Sequence, residues 1–216
     1  MNDILELLGA HRIVPVVTAH TARQGADIAA ALAEGGLPVA EITFRTPAAA
    51  EAIAAAVRER PDVLVGAGTV IRPEQVDQAV AAGARFIVSP GTSRAVIDRC
   101  GSLGIPVLPG AVTATEIQAA LEAGARVLKF FPAEASGGAS ALRALAAPFG
   151  DVGFVPTGGI GPDTLAAYLS IPQVRAVGGS WMLPADAVRD GDWARVTGLT
   201  KDAVTQAEAL GTVALR

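Results

Sequence analysis

Lysine is the residue this chain most conspicuously does without. Of its 17 basic residues, only Lys129 and Lys201 are lysine. It has one cysteine, two histidines and an aromatic content of 4%. Each shortage excludes something. A lone Cys100 forms no intrachain disulfide and suits a reducing compartment. His11 and His20 have no partners at metal-ligand spacing, and no His/Cys/acid cluster stands in the sequence, so no metal site is expected. With a net charge of −4, no basic run and no basic–aromatic interleaving, nucleic acid is not an expected partner. Apolar stretches are cut by Gly, Pro or charge well short of a bilayer-spanning length, so no membrane span is expected. The segment Met1 to Glu6 lacks the positive and apolar regions of a signal peptide. The expectation is a cytoplasmic protein.

What is present is small, apolar and periodic. Hydrophobic residues make up 51% of 216 positions, enough for a full core and most simply read as one domain, residues 1–216. Residues 2–10 read as a short amphipathic helix carrying Ile4, Leu5, Leu7 and Leu8. Strand and helix patterns then alternate. Ile13 to Ala19 reads as a strand, and Thr21 to about Glu34 as a helix opened by a Thr21/Gln24 capping box. Val39 to Arg45 is a strand, followed by a helix to about Arg60 with Thr46 as N-cap and Pro47 in its first turn. Leu64–Thr69, Phe86–Pro90, Val107–Gly110, Val127–Pro132, Phe154–Thr157 and Ala176–Ser180 are the remaining strands. The helices between them start near Pro73, Ser93, Ala114, Ala139 and Pro162. The one near Ala114 carries a second capping box, Thr113 and Glu116, and a closing helix spans about Asp192 to Leu210. Gly83, Gly104 and Gly124 each sit where a helix ends and a strand starts within three residues.

Eight strand–helix units in this length predict an α/β, single-domain (β/α)8 TIM barrel with a short N-terminal helix. A leucine-rich solenoid would need Leu/Asn spacing that is absent. An open doubly wound sheet would need fewer strands and a Gly-x-Gly-x-x-Gly loop after the first, where this chain has Val17-Thr18-Ala19-His20.

Barrel enzymes carry their chemistry at the C-terminal ends of the strands. The segment Val127-Leu128-Lys129-Phe130-Phe131-Pro132 puts a lysine inside an apolar strand. A buried ammonium must be paired or must lose its proton, and a neutral lysine amine attacks carbonyls. Lys129 therefore reads either as a Schiff-base nucleophile or as a strand-end lysine that snorkels or pairs with a glutamate. Period-two alternation places Glu41, Thr43 and Arg45 on one strand face and Lys129 and Phe131 on another, all aimed inward. The same rule offers Thr18, Thr69 and Pro90. Arg45 suits a bidentate grip on a carboxylate, and Glu41 a proton shuttle. Thr157-Gly158-Gly159-Ile160 and Gly178-Gly179-Ser180 follow the seventh strand and end the eighth. These are the two places where bare amides bind phosphate in such barrels.

Together these residues carry a resemblance. Glu41-Ile-Thr-Phe-Arg45-Thr46, Gly66-Ala-Gly-Thr69, Ser89-Pro90-Gly91, Leu108-Pro109-Gly110, Lys129-Phe130-Phe131-Pro132-Ala133-Glu134, Pro156-Thr157-Gly158-Gly159-Ile160 and Gly178-Gly179-Ser180-Trp181 resemble the bacterial 2-keto-3-deoxy-6-phosphogluconate (KDPG) and 4-hydroxy-2-oxoglutarate (KHG) aldolases over nearly the whole chain. The resemblance implies a class I aldolase of the Entner–Doudoroff pathway that cleaves KDPG to pyruvate and glyceraldehyde 3-phosphate, and KHG to pyruvate and glyoxylate. It implies no cofactor, because a covalent imine on Lys129 takes the place of a metal. It implies Glu41 as acid/base, Arg45 and Thr69 on the pyruvate carboxylate, and a pocket of Pro90, Phe131 and Thr157. It also implies a phosphate site of Gly158, Gly159, Gly179 and Ser180, and a homotrimer whose one small-molecule partner is a phosphorylated keto acid. The alternatives are the C4-epimeric substrate, or a phosphosugar-binding barrel enzyme that is not an aldolase.

Overall fold

A computed structural model describes residues 2–211, with the side chains of residues 2–5 and 7 outside the description. Helix α1 (Asn2–His11) opens the chain. Its Leu8 is buried, and Ile4, Leu5 and Leu7, read above as its apolar face, lie outside the described side chains. The alternation then runs β1 (Ile13–Val17), α2 (Ala22–Glu34), β2 (Val39–Thr43), α3 (Ala49–Glu59), β3 (Leu64–Gly68) and α4 (Pro73–Ala81). It continues through β4 (Ile87–Val88), α5 (Arg94–Leu103), β5 (Val107–Leu108), α6 (Ala114–Glu122) and β6 (Val127–Phe130). A 3-10 turn (Glu134–Ser136) and α7 (Gly138–Ala146) lead to β7 (Gly153–Pro156) and α8 (Pro162–Leu169). The last elements are β8 (Val177–Gly179), α9 (Ala185–Asp190) and α10 (Trp193–Ala209).

All strand pairings are parallel, and they close a ring. Six strands pair in the order β5-β4-β3-β2-β1-β8, and β6 pairs with β7. Isolated bridges join the two sheets, Gly110 to Lys129 on one side, and Phe154 to Val174 and Thr157 to Gly178 on the other. At the first bridge the Lys129 amide donates to the Pro109 carbonyl and the Ala111 amide to the Lys129 carbonyl, both at 2.9 Å. This is the expected (β/α)8 barrel.

Alternation along the strands sorts the core into two layers. Ile13, Val17, Ala40, Ile42, Val65, Ala67, Leu128 and Phe130 pack outward into the layer shared with the helices. Val14, Val39, Phe86, Val88, Leu108 and Val155 form a separate cluster inside the ring, with Leu64 and Val127 against it. Glu41 and Thr43 continue the phase of Val39, and Lys129 that of Val127, so these polar side chains belong to the interior.

Several boundaries differ from expectation. β2 ends at Thr43: the Phe44 amide still donates to the Gly68 carbonyl at 2.8 Å, and the chain then turns. Thr46 is not the N-cap of α3. Its hydroxyl donates to the Ala19 carbonyl at 2.6 Å, and the helix starts after Ala48, which makes no side-chain cap bond. At α2 the Thr21 hydroxyl caps the Gln24 amide as expected, but the Gln24 side chain accepts from the His20 amide, so the reciprocal half of the box is shifted by one residue. The Thr113/Glu116 box forms in full, and hydrogen bonds from Val112 and Thr113 outweigh the opposing effect of burial and hold the Glu116 carboxyl below its usual range. The 3-10 turn and α9 were not expected. They span 3 and 6 residues, too short to impose a visible periodicity.

Helices α2 and α3 touch so closely at Gly25 that a methyl there would lie 2.7 Å from the Ala52 Cβ and 2.8 Å from its Cα. A Gly25→Ala variant is expected to lose about 1–3 kcal/mol through overpacking. Gly101, exposed on α5 with open space around it, has the opposite sign: Gly101→Ala should gain about 0.5–1 kcal/mol. Urea unfolding of both variants checks the pair, and equal shifts would contradict the packing described.

Candidate active site

The centre of the site is an ion pair in the middle of the barrel. Lys129 Nζ stands 3.1 Å from Glu41 Oε1, and the two residues are only 3% and 2% exposed. Of the two sequence readings of Lys129 short of chemistry, pairing with a glutamate is the one the fold realises. The residues come from opposite sides of the sheet break, Glu41 from β2 and Lys129 from β6. Room for the carboxylate comes from β3. Its inward positions after Leu64 are Gly66 and Gly68: a side chain at Gly68 would overlap the Glu41 carboxylate, and one at Gly66 the Phe86 ring. On the other flank, Nζ lies 5.2 Å from the centroid of the Phe131 ring, within cation–π range.

Stability does not explain this pair. Opposite charges 3.1 Å apart attract by about 5 kcal/mol at an effective dielectric of ~20. Removing each from water costs several kcal/mol, so the sum is near zero and apolar packing would serve as well. A buried pair held at no net gain, at the strand ends where barrels place their chemistry, is a functional-site signature.

Around the pair, Thr43 is fully buried. Its hydroxyl donates to the Val17 carbonyl at 2.8 Å and lies 3.3 Å from the Thr18 hydroxyl. Thr18 follows the phase of Val14 and sits half-buried. Pro90 is also half-buried, and its carbonyl abuts Gly110 so closely that a side chain at Gly110 would overlap it. Thr157 is buried, with its hydroxyl over Gly178.

Two expected inward residues lie beyond the ends of their strands. Arg45 is not beside Lys129 in the interior. β2 has already ended, and Arg45 is exposed on the turn beyond it, with no hydrogen bond or ion pair to any described residue. Thr69 lies in sequence phase with Val65 and Ala67, and those two face the helices. Thr69 escapes that phase because β3 ends at Gly68 and Thr69 takes a left-handed backbone, φ 57°, an uncommon conformation for a threonine. It is half-buried.

The two glycine segments leave adjacent strand ends, β7 and β8, tied by the Thr157–Gly178 bridge. Gly158 and Gly159 have φ of 107° and 78°, a region that glycine enters without penalty. Gly179 is buried under the Trp181 ring, and Ser180 is exposed. Two residues close to these turns were given no role from sequence, Glu134 and Tyr168. The buried Tyr168 hydroxyl donates to Glu134 Oε1. Burial, then the neighbouring carboxylate, push that hydroxyl up from its usual range, so it stays a donor. Burial pushes the Cys100 thiol up to about 12, which agrees with a core residue rather than a nucleophile. Among the described residues, no group of three or more His, Cys, Asp or Glu is placed to hold a metal.

A double-mutant cycle tests the pair. Lys129→Met or Glu41→Leu alone should each destabilise by about 3–5 kcal/mol, because a buried charge is left unpaired. The double variant should unfold within about 1 kcal/mol of the parent. Additive losses in denaturant unfolding would show instead that the two charges do not depend on each other.

Comparison with known proteins fits this geometry. The KDPG and KHG aldolase family model matches residues 4–199. The 2-dehydro-3-deoxy-phosphogluconate aldolase of Treponema pallidum (strain Nichols) is 50% identical over 201 residues, 93% of this chain and 96% of that protein. The KDPG aldolase from Legionella pneumophila, solved with pyruvate captured at low pH as a covalent carbinolamine intermediate, superposes with a TM-score of 0.89 at 38% identity. That match covers 94% of this chain and 98% of the other. The aldolase of Zymomonas mobilis ZM4, solved with 3-phosphoglycerate, also gives 0.89, at 39% identity over 100% of both chains.

Proposed function

This chain belongs to the KDPG and KHG aldolase family, and from that premise we propose that it is a class I aldolase cleaving 2-keto-3-deoxy-6-phosphogluconate to pyruvate and glyceraldehyde 3-phosphate, and 4-hydroxy-2-oxoglutarate to pyruvate and glyoxylate. The observation that carries the reading is the buried Lys129–Glu41 pair, set beside two glycine turns at the strand ends of a barrel.

In the free protein Glu41 is within proton-transfer distance of Nζ. Moving one proton across leaves a neutral amine, which attacks the C2 ketone of the substrate. Proton transfers through Glu41 and water turn the alkoxide into a carbinolamine and then release water, giving a protonated imine. Glu41, again a carboxylate, takes the C4 hydroxyl proton. The C3–C4 bond breaks, its electron pair runs into the iminium to give an enamine, and the aldehyde leaves. Protonation of the enamine at C3 and hydrolysis of the resulting imine release pyruvate and restore the lysine. The iminium is the electron sink, so no metal or cofactor is required.

The supporting residues take roles by position. Arg45, exposed at the barrel mouth, is free to close on the substrate carboxylate, with Thr69 beside the same strand ends. Pro90, Phe131 and Thr157 form the pocket wall. The amides of Gly158, Gly159 and Gly179, with the Ser180 hydroxyl, receive the phosphate. In this proposal residues 1–216 act as one catalytic domain in the cytoplasm, within the Entner–Doudoroff pathway, and assemble as a homotrimer. Light scattering should read three chain masses, and a monomer reading would remove the trimer.

Pyruvate with borohydride, followed by peptide mass spectrometry, tests the chemistry. A reduced adduct on the Lys129 peptide is expected, absent without borohydride. Glu41→Gln should keep the substrate bound but lower turnover by about two to four orders of magnitude, the usual range for a positioned acid/base. No adduct, with phosphosugar binding intact, would favour a barrel enzyme that does not use an imine.

A further inference from the structure

The phosphate turn has an unexpected neighbour, the carboxylate-bearing side chain of Glu134. A side chain added at Gly159 would lie 2.8 Å from Glu134 Cβ and 2.9 Å from Cγ, so the glutamate stem runs directly along the Gly159 backbone. The Glu134 amide donates to the Gly158 carbonyl at 3.0 Å, and the Ala133 amide to the Thr157 carbonyl at 2.8 Å. The turn that leaves the lysine strand is thereby bonded to the turn that leaves β7. A free carboxylate in this position would repel any phosphate brought to the Gly158–Gly159 amides. It is not free. Tyr168, fully buried on α8, donates its hydroxyl to Oε1. That hydrogen bond holds the charged end on the α8 side, where Gly138 also lies 3.5 Å from Oε1 when given a Cβ.

Building on the phosphate site assigned above, we propose that Tyr168 and Glu134 are a positioning pair for anion binding. The glutamate stem and amide set the direction of the Gly158–Gly159 amides, and the tyrosine hydroxyl keeps the glutamate charge turned away from the phosphate. Neither residue touches the reacting carbons. Their effect falls on the phosphorylated end of the substrate and leaves imine formation at Lys129 untouched.

The test compares Tyr168→Phe, Glu134→Gln and the double variant with the parent protein. Three readouts are used: steady-state kinetics on KDPG and KHG, calorimetric binding of inorganic phosphate, and borohydride trapping of pyruvate. Tyr168→Phe removes one oxygen and frees the carboxylate. It should weaken phosphate binding and raise KM for KDPG by about tenfold, the scale of one hydrogen bond to a charged group. The kcat, the KM for KHG and pyruvate trapping should change by less than about twofold, since none depends on the phosphate. Adding Glu134→Gln to Tyr168→Phe should restore phosphate binding, because the released side chain no longer carries charge. A merely structural role would not produce that rescue. Glu134→Gln alone keeps an acceptor for Tyr168 and should bind phosphate at least as tightly as the parent, which keeps the proposal testable if Tyr168→Phe does not fold.

Unchanged phosphate binding in Tyr168→Phe, no rescue in the double variant, or weaker phosphate binding in Glu134→Gln would each overturn the pair. So would equal losses on both substrates together with reduced trapping, which mark general damage to the barrel. If the parent protein traps no pyruvate, the aldolase reading fails by itself, and phosphate binding by the variants still decides the pair.

Discussion

A charge pair in a closed barrel with 3% and 2% exposure makes demands on everything around it. The carboxylate needs space, and β3 supplies it by carrying glycine at both inward positions beside Glu41. The ammonium needs a polarisable neighbour, and the Phe131 ring lies at 5.2 Å. The backbone of the lysine strand needs partners on both edges. It has the β7 ladder on one side, and on the other the bonds to Pro109 and Ala111. Below the pair, the interior is closed by Val14, Val39, Val88, Leu108 and Val155. Above it lie hydroxyls and glycine turns. Because the pair yields almost no net stability, the apolar layers on either side of the strands must hold the fold, and Ala-, Val- and Ile-rich packing does so.

The fold was legible because its signals are local and repeated. Period-two alternation in Val39–Thr43 and Val127–Phe130 placed Glu41 and Lys129 inside correctly, and the recurring helix-end glycines marked the repeat. Gly83, Gly104 and Gly124 indeed close their helices with φ of 94°, 66° and 89°. The pairing itself was visible only as one option, since nothing in sequence brings residues 88 positions apart to hydrogen-bonding distance except the closure of the ring.

Misplacements occur where strand periodicity stops. Extending β2 by two residues put Arg45 inside, but a hydroxyl bond from Thr46 to Ala19 pulls the chain over the barrel rim and leaves Arg45 exposed. Strict alternation would turn Thr69 toward the helices with Val65, against the inward expectation, and its left-handed backbone breaks that phase. In both cases the last residue of a strand answers to the loop, and alternation no longer applies. Glu134 and Tyr168 escaped notice for a different reason. Their partnership is tertiary, across 34 positions, and each residue alone has an ordinary explanation: an exposed acid in a turn, and an aromatic in the core.

The ring is not uniform around its circumference. β6 and β7 form a ladder of four matched residue pairs, and this ladder meets the rest of the ring only through isolated bridges, Gly110–Lys129 on one side and Phe154–Val174 and Thr157–Gly178 on the other. Lys129 and the Gly158–Gly159 turn therefore ride on one narrow stave, and the Glu41 carboxylate that pairs with the lysine rides on the rest of the barrel. The Lys129–Glu41 pair exists only where the two parts of the ring meet. The six-stranded sheet by itself holds an acid without its amine, so the charge pair is complete only in the closed ring.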